Sequence, residues 1–288
     1  MSETTIRNGL TAWEIDEIDR ANTSGKQPVM FLHGLWLLSS SWKPWRDLFE
    51  GNGYVTIAPG WPDDPATREE AFANPDLFAG KMVQRVTDHY LGAVARLTRR
   101  PAAIGHSFGG LLAQKVAAEG ASVATVAIDS APFHGVLPLP ASALKSAAPV
   151  LANPGNRKKA VALTFEQFQY GWTNSLDEVE ARHLYDTYHV PASGAPLFQA
   201  ALANLNLFGG ETRLDLKSPD RGPLLVIAGD KDNTVPMAIS EAIHKLQSRN
   251  PGLTEITRVP DRGHSLVIDH GWREVADLAL DFVSRFAR

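Results

Sequence analysis

The stretch "AAIGHSFGGLLAQ", residues 102–114, changes character at its midpoint. Residues suited to a β-strand precede Ser107, helix formers follow it, and glycines stand at 105, 109 and 110. A strand that turns straight into a helix leaves no room for a Cβ on either flank of the turn, which accounts for small neighbours. A serine placed there sits on a tight, strained backbone that lifts its hydroxyl clear of the sheet. The same pattern also suits a packing turn in which Ser107 does nothing, so its partners must come from elsewhere in the chain. His106 adjoins the serine, but on an extended backbone its side chain is expected to point to the opposite face.

Outward from this stretch the chain alternates between short apolar runs and longer amphipathic ones. "PVMFLHG" (28–34), "YVTIAP" (54–59), "PAAIGHS" (101–107), "VATVAID" (123–129) and "PLLVIAGD" (223–230) have strand length and are apolar almost throughout. Unbroken apolarity, rather than alternation, suits strands buried on both faces of a parallel sheet. Between them, residues 79–98 carry Val83, Val86, Tyr90, Val94 and Leu97 at helical steps, and Trp272, Val275, Leu278, Phe282 and Phe286 form a second stripe. This β-then-α rhythm predicts an α/β fold with a mostly parallel central sheet flanked by helices. It breaks at about residue 133 and resumes at about 222. The intervening segment holds Phe165, Phe168, Tyr170, Trp172, Tyr185 and Tyr188 and no convincing buried strand. Some ninety residues are too many for a plain loop, so we expect a helical cap insertion over 133–222 on a core of 1–132 and 223–288.

Composition narrows the function classes. Of the 288 residues 44% are hydrophobic and 21% charged, and the net charge is −4. That gives an ordinary globular core and no basic footprint for nucleic acid or acidic membranes. No run of 18 apolar residues offers a spanning helix, and "MSETTIRNGLTAWEIDEIDR" lacks the apolar core of a signal peptide. A cytoplasmic protein without membrane or nucleic-acid partners is therefore expected. There is no cysteine, which excludes disulfides and thiolate chemistry.

A serine hydroxyl needs a base to take its proton. Among nine histidines His264 is the best placed, in "PDRGHSLVID" between the weak strand "EITRVP" and the last helix. That is a loop at a strand's C-terminal end, where α/β sites gather. The base needs an acid to hold its tautomer. "VIAGDKDNTVP" offers Asp230 and Asp232; Asp232 lies further into the loop and ranks first, while Asp230 suits a turn-capping role. Asp129, which ends "VATVAID", is a third candidate. Backbone donors for a developing oxyanion are expected from Phe108, at the start of the helix, and from the loop "FLHGLW". In that loop Gly34 permits close approach, the amide of Leu35 is the first choice and that of Trp36 the second. Trp36 is also a candidate substrate-binding residue. The insertion's aromatics, with Leu137, Leu144, Leu151, Leu197 and Phe198, suit either an apolar pocket or the insertion's own core. "NRKK" at 156–159 suits a solvated surface.

These segments together resemble the α/β-hydrolase superfamily: "VMFLHGLW" as oxyanion loop, "GHSFGG" as nucleophile elbow, "GDKDNTVP" as acid turn and "RGHSL" as histidine loop. The order Ser, Asp, His agrees as well. The resemblance implies a triad of Ser107, Asp232 and His264, an oxyanion hole from the amides of Leu35 and Phe108, and a cap at 133–222. It implies a small-molecule substrate, no cofactor and no metal. Among subgroups the chain looks similar to small bacterial esterases and cofactor-free haloperoxidase-like hydrolases. Ester hydrolysis leads the activities this implies; perhydrolysis, lactone or C–C bond hydrolysis, and a ligand receptor on the same fold are the alternatives. One departure stands out, because "GWPDDPATREEAFANP" (60–75) replaces the common Asp-x-x-Gly-x-Gly turn.

Overall fold

The computed structural model describes residues 9–205 and 210–287. Six strands form one sheet: β1 (Pro28–Leu32), β2 (Val55–Ile57), β3 (Ala102–His106), β4 (Ala124–Ile128), and then, after a two-stranded pair β5 (Ala160–Val161) and β6 (Ala192–Ser193), β7 (Leu224–Gly229) and β8 (Thr254–Val259). The order across the sheet is β2-β1-β3-β4-β7-β8 and every pairing in it is parallel. Every residue of β1, β2, β3, β4 and β7 is buried, which explains their unbroken apolar sequences. β8 lies at the sheet's edge, half-buried along most of its length, and correspondingly reads as a weak strand.

The helices of the core are α1 (Ala12–Ser24), α2 (Lys43–Gly51), α3 (Arg68–Ala73), α4 (Val83–Val94) and α5 (Phe108–Ala118). The stripe expected over 79–98 forms α4, which is shorter because residues 79–82 precede its first turn and Ala95 caps it. Between β4 and β7 come α6 (Ala141–Leu151), α7 (Phe165–Gly171), α8 (Glu178–Tyr188) and α9 (Ala195–Leu202), followed by α10 (Met237–Gln247) and α11 (Trp272–Ser284) after β7 and β8. The long segment between β4 and β7 is thus mainly helical, with one strand pair that its sequence does not announce: β5 and β6 hold only two residues each and pair antiparallel. Two apolar residues of this segment are surface residues, since Leu137 is 75% and Leu144 45% exposed, so neither belongs to a pocket or core.

The strand order places one feature of consequence. The chain passes from β1 outward to β2 and then returns across β1 to β3, so the direction of winding reverses between β1 and β3. At such a switch point the loops leaving adjacent strands diverge and open a crevice at their carboxyl ends. The loops that leave here begin at His33 and Ser107.

Candidate active site

Ser107 joins β3 to α5 with φ +57° and ψ −123°, a conformation that costs an L-residue about 1–3 kcal/mol. The surroundings enforce it. A Cβ on Gly105 would lie 2.0 Å from the carbonyl oxygen of Gly109, and one on Gly109 would lie 2.0 Å from that of Leu32. Helix α5 therefore touches β3 and β1 backbone to backbone. The Ser107 amide donates to Ile128 O at 3.0 Å, and its carbonyl accepts from Gly110 and Ala131, both at 2.9 Å. The elbow is fixed from both sides, with the Ser107 residue 6% exposed.

The loops after β7 and β8 meet next to it. His264 Nδ1 lies 2.6 Å from Asp232 Oδ2, and both side chains are fully buried. The other oxygen of Asp232 accepts from the amides of Thr234 (2.6 Å) and Val235 (2.8 Å), so the loop after β7 holds the carboxylate in place. Asp230 turns away to Arg258 at 2.6 Å and the Asp261 amide at 2.7 Å, as a loop-capping acid. His264 Nε2 makes no hydrogen bond to the protein and is not bonded to the Ser107 hydroxyl. The His264 ring is packed edge-on against Trp172 of the inserted segment at 4.6 Å.

Two further residues reach this site. Asp129, at the end of β4 with φ +38°, is fully buried and accepts from the Gly229 amide at 2.9 Å. Burial first, and then the neighbouring Asp232 carboxylate, push its carboxyl well above the usual aspartate range. His106 does not point away as strand alternation predicts: its ring lies 4.6 Å from that of His264. Alternation ends where the strand ends, one residue before the positive φ of Ser107. Burial, and then the neighbouring His264 imidazole, push His106 well below the ordinary histidine range. His106, Asp129 and His264 can each bring one ligand atom within 4.8 Å of the others. A cation there would compete with the contacts that His264 and Asp129 make to Asp232.

On the other side of Ser107 runs the loop after β1. A Cβ on Gly34 would lie 2.8 Å from Ser107 Cβ, 2.9 Å from His106 O and 3.3 Å from the Phe108 amide nitrogen. The loop thus lies directly on the elbow, with Leu35 next in the chain and buried. Trp36 follows with φ +63°; its indole donates to Val161 O at 3.0 Å and its carbonyl accepts from the Val190 amide at 3.1 Å. Both contacts are to the inserted segment. Beside them is a small cavity of about 10 Å³, lined by Leu35, Trp36, Asp64, Phe78 and Ser193 among others, with room for about one water.

Comparison with known proteins identifies the family to which this fold belongs. The sequence profile of the alpha/beta hydrolase family matches residues 29–278. The chain belongs to that family. No curated protein sequence gives a significant match. Among solved structures, this alpha/beta hydrolase superposes on the monoacylglycerol lipase of Paleococcus ferrophilus with a TM-score of 0.61 at 18% identity, covering 89% of this chain and 93% of that one. An extracellular alpha/beta-hydrolase from a Paenibacillus species gives 0.63 at 17% identity over 89% and 98%. A pyrethroid hydrolase from Sphingobium faniae JZ-2 gives 0.60 at 16% over 90% and 97%. These likenesses show the shared fold. Among the described residues no helix of the hydrolase is long and apolar enough to cross a membrane.

The hydrolase also holds a charged cluster that its sequence alone does not reveal. In the divergent stretch 60–75, the Asp64 side chain is only 7% exposed and accepts from the Trp61 amide at 3.0 Å. The Lys81 ammonium donates to Asp64 Oδ1, and His33 Nε2 lies 3.1 Å from Oδ2, the oxygen that accepts from Trp61. Burial alone would raise the Asp64 carboxyl, but His33 and Lys81 outweigh it and hold the group below its usual range. Lys81 is 1% exposed. Asp63, one residue earlier, pairs with Arg85 at the surface, and nothing in the sequence distinguishes the two acids.

Proposed function

We propose that this alpha/beta hydrolase is a serine hydrolase that cleaves carboxylic esters through an acyl-enzyme on Ser107. The observation that carries this is the buried 2.6 Å bond from His264 Nδ1 to Asp232, beside a serine on a strained elbow. With Nδ1 committed to the carboxylate, Nε2 is the nitrogen left to accept the serine's proton. Ser107 Oγ attacks the ester carbonyl carbon as its proton passes to His264. The tetrahedral oxyanion takes hydrogen bonds from the amides of Leu35 and Phe108, each donor being worth about 2.7–4 kcal/mol in such sites. Collapse expels the alkoxide, which His264 protonates. Water then attacks the acyl-serine by the same proton route and releases the acid. Asp232 keeps the imidazole in the productive tautomer and stabilises the imidazolium.

Residues 133–222 act as a cap in this scheme. Trp172 against His264, and Trp36 bonded to Val161 and Val190, support that role. Water exclusion by such a cover strengthens every hydrogen bond to the oxyanion. The structural relatives named as a monoacylglycerol lipase and a pyrethroid hydrolase support ester chemistry as the class to test first.

Labelling with a fluorophosphonate probe tests the proposal. We expect covalent labelling at Ser107, hydrolysis of short p-nitrophenyl esters, and loss of both in Ser107→Ala, with kcat falling by up to about 10⁶-fold. Labelling that survives Ser107→Ala, or a wild-type protein that neither labels nor turns over any ester in a chain-length panel, refutes it.

A further inference from the structure

The Lys81–Asp64 pair lies against the loop that would bind the oxyanion, yet the proposed reaction uses neither residue. Its connection to that loop is through one imidazole. His33 follows β1, and its Nδ1 donates to the carbonyl of Gly34 at 2.9 Å. That carbonyl and the amide N–H of Leu35 belong to one peptide unit. A peptide is planar, with C=O and N–H pointing in opposite directions, so whatever holds the Gly34 oxygen also sets the direction of the Leu35 N–H. His33 is in turn held on two sides. Its carbonyl accepts from the Trp61 indole at 3.1 Å and its ring stacks on that indole at 5.8 Å. Its far nitrogen, Nε2, lies 3.1 Å from Asp64 Oδ2. Lys81 neutralises and locates Asp64, and the Lys81 backbone amide donates to Ser193 Oγ at 3.1 Å.

We propose that Lys81 and Asp64 are positioning residues for the oxyanion hole, acting through His33 on the Gly34–Leu35 peptide; this rests on the esterase reading above. One physical consideration supports it. Taking an ammonium and a carboxylate out of water is costly, and apolar replacements of similar volume are often as stable or more so, so stability alone does not call for an ionic pair here.

The double variant Lys81→Met/Asp64→Leu separates positioning from stability, because it leaves no unpaired buried charge. We expect it to fold and to melt within about 10 °C of the wild type, the Trp61 amide losing its acceptor on Asp64. Its kcat on p-nitrophenyl acetate should fall by about 10- to 100-fold, the loss that a displacement of about 1 Å at a reacting centre brings, with KM within about threefold. Affinity for an aryl trifluoromethyl ketone, which forms a tetrahedral adduct with the serine, should weaken by the same factor as kcat/KM. A second variant, Lys81→Gln, keeps a neutral donor towards Asp64 and should lose kcat by a smaller factor, about three- to tenfold, again with KM little changed. A folded variant of either kind with wild-type kcat and ketone affinity overturns the inference. So does a loss confined to KM, or a double variant that fails to fold accompanied by an unimpaired Lys81→Gln. Wild-type protein that hydrolyses no ester and leaves Ser107 unlabelled defeats the esterase reading and this inference together, whereas active wild type with indifferent variants defeats this inference alone.

Discussion

Replacing Gly105 with alanine is expected to damage this protein far more than one methyl group suggests. The added Cβ would stand 2.0 Å from the Gly109 oxygen, 2.4 Å from the Gly109 carbonyl carbon and 2.8 Å from the Gly110 nitrogen. The first contact is about 1.4 Å short of ordinary van der Waals separation, and all three atoms are backbone at the start of α5. No rotamer change relieves it; α5 must lift from β3 as a unit. Overpacking costs about 1–3 kcal/mol when side chains can adjust, so with backbone on both sides we expect about 3 kcal/mol. For a chain of this size that lowers the melting temperature by roughly 6–12 °C. Ser107 lies between the two elements being separated, so kcat should fall by about 100-fold as well. The internal control is Gly92→Ala within α4, where a new Cβ meets nothing within 4 Å. There alanine removes glycine's excess freedom in the unfolded chain and should stabilise by about 0.4–1 kcal/mol. Thermal melts of both variants beside the wild type decide the matter. A Gly105→Ala protein that melts within about 1 °C of the wild type refutes the close-approach reasoning, since the two effects should then differ in sign by several degrees.

Two further outcomes follow from the carboxylates. Asp232→Asn should lower kcat by roughly 10⁴-fold while leaving fluorophosphonate labelling slow but detectable, because an amide opposite Nδ1 favours the wrong imidazole tautomer; an unchanged kcat would mean that Asp232 does not orient His264. Asp129 should appear in the pH dependence of stability. Its carboxyl is held well above the usual range in the folded protein, so it stays protonated at pH values where the unfolded chain has ionised. Its contribution is therefore complete below about pH 4 and is lost as pH rises towards its folded value, by up to about 1.4 kcal/mol per unit. The near-isosteric Asp129→Asn keeps an oxygen for the Gly229 amide and a donor for Asp232, and removes that loss. Denaturation from pH 4 to 7 should show the variant gaining steadily on the wild type; parallel profiles would show that Asp129 is ionised in the native state.

Much of the fold can be read along the chain because a strand buried on both faces has no polar positions. That is why β1, β3, β4 and β7 stand out as unbroken apolar runs, while the half-buried edge strand β8 is faint. Ser107, Asp232 and His264 are legible for a related reason: each lies in a loop just past the carboxyl end of one of these strands, next to glycine or in a turn-rich segment. The exposed Leu137 and Leu144 show where that logic weakens, in a segment whose helices are short and have no sheet to face.

By itself the sequence determined the strand-to-helix rhythm, the elbow at Ser107 and the order of the candidate triad, since all three depend on local backbone demands and on burial periodicity. What only the tertiary structure decided is which charged and polar groups share one environment. Asp64 and Lys81 stand seventeen positions apart in a stretch without pattern, and as sequence they look like solvated charges. Asp129 and Asp232 end or follow neighbouring strands, yet the carboxyl of one is pushed well above its usual range and the other is bonded to His264. His106, expected on the face opposite Ser107, has its ring 4.6 Å from that of His264. A carboxyl's charge state and a side chain's neighbours depend on groups brought within a few ångströms by the sheet's winding, and the winding order is not encoded at any one position of the chain.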